Sequence, residues 1–224
     1  AYMQKFPEKV HYPRLGPKSH FRIYSDSAFK KELECGHAIK GTLIMRMAGT
    51  EVADGKGVLT SGPGHVIDVV CKRVRNVTRS TWSSELFSLC DAADHGLLLR
   101  QLAHEFAHGP LNAESARRLR EGDIQSGVSI DIVVDALSVY ASCTASHLKV
   151  PTEKSLMSHI QFVRELVDRG VIRSLCWCDT RDMLGDGLTK GSIDRAALRT
   201  CMRGAVNATH EARVFAPTRY PAEA

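Results

Sequence analysis

At 224 residues, 43 % hydrophobic and 25 % charged, the chain is long enough for one well-buried domain and too apolar to be disordered throughout. Its 30 Lys and Arg against 25 Asp and Glu leave a net charge of +5, compatible with a polyanionic partner but far from the basicity of a dedicated nucleic-acid coat. Seven cysteines, odd in number and scattered through apolar segments, suit a reducing compartment rather than secretion, and no apolar run approaches the roughly 18 to 20 residues of a membrane span.

The opening, AYMQKFPEKVHYPRLGPKSH, has no clear period and starts without Met, so residues 1–19 read as a leader belonging to an upstream domain. HFRIYSDSAF at 20–29 alternates like a strand, 30–36 is a charged turn, and 38–45 reads as the hairpin partner. A Gly-rich loop at 49–64 precedes a β-branched third strand at 65–71. A long helix begins near Ser83, with serine available as cap, and ends at His108 before Gly109-Pro110. Residues 111–127 accommodate a short charged helix and a turn, and the nearly continuous apolar run 128–135 predicts a strand buried on both faces. Helices are expected at 136–145 and from Pro151 to Arg169, a last strand at 171–178, and a final helix opening at Ser192. The domain thus spans 20–203, and 204–224 is expected to be a loose tail. This order predicts an α/β fold in which three antiparallel strands are followed by parallel ones, five in all, in a mixed sheet flanked by helices.

Acidic residues recur beside those strands. Asp26 lies in the first, Asp135 closes the fourth, Asp179, Asp182 and Asp186 follow the fifth, and Glu85 sits at the start of the long helix. Clustered carboxylates repel one another and are relieved by hard divalent cations, and two such ions can clamp the attacking and leaving oxygens of a phosphodiester. The plainer reading is that strands end in solvent and that an acid near a helix start is favoured by the helix dipole.

The order of motifs resembles the ribonuclease H-like domain of copia-type retrotransposon Pol polyproteins. YSDS at 24–27 followed by a hairpin is similar to that family's first strand, and RSTWSSELFSL at 79–89 to its helix start. LLLRQL at 97–102 looks like its leucine-arginine patch, and VVDALS at 133–138 resembles the strand bearing the third acid. WCDTRDMLGDGLTK at 177–190 is close to the copia-type ending and is the most specific of the set. The resemblance implies that Asp26, Glu85, Asp135 and Asp186 bind two Mg²⁺ ions, with Mn²⁺ as a substitute, and that these cut the RNA strand of RNA-DNA hybrids. It implies as partners an RNA-DNA hybrid and an upstream reverse transcriptase domain, no membrane, and a cytoplasmic (virus-like particle) or nuclear setting. Lys30, Lys31, Lys72, Arg73, Arg75 and Arg79 are phosphate-contact candidates, each also readable as a solvated surface charge.

The chain departs from the family at Ala136, where Asn is usual, at Gly185, where alanine precedes the last acid, and in the long insert 109–127. Two other readings therefore stand beside a nuclease. One is a decayed domain that binds nucleic acid without cutting. The other comes from His104-Glu105-Phe106-Ala107-His108, a match to the zinc-peptidase pattern H-E-x-x-H, in which two histidines one turn apart hold the metal. That reading needs a third ligand, for which Glu114 or Glu121 is available, and it places the second histidine in the last helical turn.

Overall fold

A computed structural model describes residues 9–28, 37–75, 78–124, 127–148 and 150–217. The expected turn at 30–36, with Lys30 and Lys31, lies outside these, as do 1–8 and 218–224. Strands β1 (Ser19–Ala28), β2 (Ile39–Ala48) and β3 (Gly62–Arg73) form the antiparallel meander. Strand β4 (Ser129–Val134) then adds parallel to β1, and β5 (Ser174–Cys178) parallel to β4.

The sheet has seven strands, not five. Strand β6 (Ala205–Val206) pairs with the start of β3, and β7 (Ala212–Phe215) pairs antiparallel with β5, giving the order β6-β3-β2-β1-β4-β5-β7. Both come from the stretch expected to be loose. A two-residue strand and the four-residue edge strand ARVF are too short to carry a clear period, so pairing with an existing edge makes them rather than local pattern.

Two cores sandwich the sheet. On one face, Phe21, Ile23, Ile44, Ile130 and Ile132 pack against Leu86 and Leu89 of helix α1 (Thr81–His108) and against Ile160 and Val163 of a later helix (Met157–Asp168). On the other, Tyr24, Leu43, Met45 and Val133 meet Met183, Leu184 and Cys201. Because β1 is covered on both sides, residues 20–27 are all buried, the polar ones included. Each polar group on this strand therefore requires a partner.

The remaining helices are α2 (Ala113–Glu121), α3 (Leu137–Thr144), α4 (Met157–Asp168), the single turn α5 (Asp186–Thr189) and α6 (Ala196–Met202). The last helix starts later than expected: Asp194 accepts from the Ala196 amide and ties up the preceding turn. The fifth strand is shorter than expected, because Val171 and Ile172 are buried in the turn after α4 instead of extending it.

Candidate metal centre

Three carboxylates meet where β1, β4 and α1 converge. Asp26 is near the end of β1, Asp135 is the residue just past β4, and Glu85 is in the second turn of α1. One oxygen of each lies within 4.8 Å of the others, and among the described residues this is the one group of His, Cys, Asp or Glu so placed. Asp26 is 1 % and Glu85 7 % exposed, so both carboxyls are largely withdrawn from water.

Local chemistry fixes this meeting. Helix α1 starts at Thr81 because Ser80 and Ser83 cap it reciprocally, the Ser80 hydroxyl accepting from the Ser83 amide at 3.1 Å and the Ser83 hydroxyl from the Ser80 amide at 3.2 Å. One turn beyond Ser84, Ser88 donates to the Asp26 carbonyl at 3.0 Å and accepts from the Ser25 hydroxyl at 2.9 Å. The helix is therefore stitched to β1 beside the two acids. Asp135 is held by its backbone: the Trp177 indole donates to its carbonyl at 2.8 Å, and the Arg213 guanidinium of β7 lies 5.2 Å from the Trp177 ring centre.

On the opposite face the turn α5 lies directly on the sheet. A Cβ at Gly41, the cross-strand partner of Asp26, would come within 2.8 Å of Thr189 and 2.9 Å of Leu188. A Cβ at Gly185 would come within 2.8 Å of the Asp26 side chain. Two bare backbones thus permit the contact, which lets the buried Thr189 hydroxyl donate to the Asp26 carboxylate.

The fourth expected acid, Asp186, is not in the three-carboxylate group. Its carboxylate takes a hydrogen bond from Lys190 at 2.5 Å across one helical turn, while its charge still acts on Asp26 and Asp135. Asp179 is engaged by Arg181, and Asp182 accepts from the amides of Thr209 and His210. Neither contributes to the cluster.

Crowding shows in the protonation of the group. Burial above all, with the charges of Asp26 and Asp135 added, pushes Glu85 up to about 9. Burial raises Asp26 to about 6, the hydrogen bond from Thr189 opposing and the charge of Asp186 adding. Asp135 is raised too, by burial first and Asp186 second. Burial disfavours the Lys190 charge, but the hydrogen bond to Asp186 and the nearby acids more than offset that and raise its pKa.

The donor set fits a hard divalent cation. All three candidate ligands are carboxylate oxygens within 4.8 Å of one another, near the roughly 4 Å that two oxygens on one Mg²⁺ span, twice the ion–oxygen distance. Mg²⁺ or Mn²⁺ would be held by Asp26, Glu85 and Asp135, with Asp186 at the rim.

Of the basic candidates, Lys72, Arg73, Arg75 and Arg79 are exposed. Lys72 and Arg73 end β3, Arg75 lies two residues beyond it, and Arg79 precedes α1. Sequence reading missed Thr189 and Lys190 as site residues, although their spacing of three and four from Asp186 places both within one helical turn of it.

HEFAH forms the last turn of α1, at the far end from Glu85. The His104 and His108 rings are 4.6 Å apart, but no third donor joins them among the described residues. Glu114 and Glu121 are both bound by Arg117, and Phe106 is 90 % exposed. His104→Ala is expected to leave the zinc content of the purified protein unchanged. Stoichiometric zinc that disappears in this variant would restore the peptidase reading.

No family model matches the chain, and no curated protein matches it. Among solved structures it is similar to one described as "Crystal structure of LC11-RNase H1 in complex with RNA/DNA hybrid", with 16 % sequence identity and a TM-score of 0.43, covering 79 % of this chain and 98 % of that one.

Proposed function

We propose that this protein is a ribonuclease H-like nuclease that hydrolyses the RNA strand of RNA-DNA hybrids using two Mg²⁺ ions, as part of a copia-type retrotransposon polyprotein with an upstream reverse transcriptase. The observation that carries the reading is the convergence of Asp26, Glu85 and Asp135 from β1, α1 and the end of β4 within 4.8 Å. These are three of the four acids that the motif resemblance singles out. The finer assignment is supported by WCDTRDMLGDGLTK, which also supplies Asp186, Thr189 and Lys190.

In this reading the bound cations lower the pKa of the attacking water and neutralise charge on the phosphate. The chain itself does three things. Asp26, Glu85 and Asp135 supply fixed oxygen ligands in a site whose water is largely excluded. Thr189 orients the Asp26 carboxylate through its hydrogen bond. Lys190 neutralises Asp186 when it is not serving a cation. Exposed cations at the adjoining strand end and before α1 suit the phosphates of the duplex, and the 2′-hydroxyls of the RNA strand are the groups by which a protein tells RNA from DNA.

The test is cleavage of a labelled hybrid in Mg²⁺ by the wild type and by Asp135→Asn. Cleavage by the wild type and its loss in the variant is expected. Equal cleavage by both, or none by either, overturns the catalytic reading, and salt-sensitive hybrid binding without Mg²⁺-dependent products would identify a decayed binding module instead.

A further inference from the structure

The C-terminal half of α1 shows large apolar side chains to solvent: Leu98 is 56 %, Leu102 41 % and Phe106 90 % exposed. Their spacing of four sets them in one row along the helix, about 12 Å long. That row looks away from the fold. A Cβ at Gly96 would meet Ile130 and Ile23 of the sheet, and Arg100 donates to the Leu119 carbonyl of α2 at 2.7 Å. Leu98 and Leu102 each stand two residues on from these, about 200° round the helix. Single exposed apolar residues are ordinary, whereas a contiguous row of large ones marks a contact surface. Charge brackets the row, with Asp94 exposed one turn before Leu98 and His108 exposed at the helix end.

We propose that two copies of this chain pair through α1, antiparallel, by burying Leu98, Leu102 and Phe106 against one another. With the two-fold axis beside Leu102, Leu98 of each copy lies against Phe106 of the other. The same axis settles the charges. Asp94 is eight residues before Leu102 and His108 six after it, and the two lie on the same flank of the row, roughly 80° and 120° round from Leu102. Reversal of one helix therefore brings the carboxylate of one copy beside the imidazole of the other, and a two-fold contact makes that pair twice. The row is thus complementary to itself, and this argues for a second copy as its occupant. A parallel pairing would set Asp94 against Asp94. Three anchors per copy make an interface at the small end of specific contacts, so the association is weak and depends on concentration. Glu85 lies about 25 Å along α1 from Leu102, so the acidic clusters of the two copies sit at opposite ends of the pair. Pairing does not depend on the nuclease reading, and it gives the end of HEFAH a partner other than zinc.

The experiment is sedimentation equilibrium of the whole chain up to about 1 mM, the range in which weak complexes form. All substituted positions are exposed, and a thermal melt of each variant checks that it folds. The wild type is expected to pass from monomer to dimer as concentration rises. Phe106→Ser removes the most exposed anchor from both copies and should weaken the dimer about a hundredfold, tenfold for each copy. Asp94→Lys should weaken it about tenfold by facing His108 with a like charge, and Asp94→Lys together with His108→Asp should return it to within about threefold of the wild type. That pattern upholds the pairing. A wild type that stays monomeric throughout overturns it, as does a dimer that Phe106→Ser leaves intact. If Phe106→Ser dissociates the dimer but the double charge exchange does not rescue Asp94→Lys, the copies do not meet antiparallel through this row and the proposal fails.

Discussion

Glu85→Gln is expected to reduce Mg²⁺-dependent hybrid cleavage by about a thousandfold or more, while making the cation-free protein more stable near pH 8. The two effects have one origin. In the absence of a cation, burial and the neighbouring Asp26 and Asp135 push Glu85 from its ordinary 4.5 up to about 9. A carboxyl whose pKa is raised on folding contributes stability that is fully present below the unfolded pKa and is lost as pH rises through the folded one. The cation-free wild type should therefore lose stability progressively between about pH 4.5 and 9, and at pH 7 the uptake of the proton costs on the order of 3 kcal/mol. Asp26, raised to about 6, adds to the loss in the lower part of that window. Glutamine carries no such dependence, and the variant should melt higher in EDTA by an amount that grows with pH. Mg²⁺ should flatten the pH dependence of the wild type, because it binds the ionised group, and should do little for the variant. Thermal melts at several pH values, with and without Mg²⁺, read all of this. A wild type whose stability in EDTA is flat from pH 5 to 9 would show that Glu85 is not withdrawn from water beside Asp26 and Asp135 as the structure has it.

Gly41→Val is expected to damage the site without touching a carboxylate. The new side chain would need the space already taken by Thr189 and Leu188, within 3 Å of where its Cβ must stand. Either β2 bows or α5 lifts, at a cost of about 1–3 kcal/mol as for other overpacked cores. Lifting α5 withdraws the Thr189 hydroxyl from Asp26 and carries Asp186 away from the cluster. Cleavage should fall at least tenfold, and the Mg²⁺-induced rise in melting temperature should shrink with it. Gly55→Ala, which adds a methyl group in open space, is the matched control and should leave both unchanged. A Gly41→Val protein that cleaves like the wild type would mean that the seat of α5 on the sheet is irrelevant to the chemistry.

How far the sequence revealed this arrangement depends on how local the causes are. Alternation in β1 and β2, the apolar run of β4 and the capped start of α1 are each decided within a few residues, and those elements lie within a few residues of where the pattern puts them. Asp26, Glu85 and Asp135 were legible as candidates from the motif resemblance and their places on such elements, whereas their convergence depends on how β1, β4 and α1 pack and was not legible. Nor was the seat of α5. It depends on Gly41 and Gly185, more than 140 positions apart, meeting through the fold, and a glycine in a sequence does not announce which neighbour needs the space. The capture of Asp186 by Lys190 was visible as a spacing of four, but what it does depends on three acids from elsewhere. Strands β6 and β7 exist only because an edge was there to pair with.

Those last two strands bear on how the molecule comes into being. A chain that emerges from the ribosome N-terminus first can assemble β1 to β5 with the edge of β5 still bare and Asp182 without the amides of Thr209 and His210. Until residues 205–215 emerge, Trp177 also lacks the guanidinium that lies over its ring, and it is this indole that holds Asp135 in place. The support of Asp135 is thus completed only after residues 205–215 have been made, and a truncation at residue 203 would catch the acidic cluster without it.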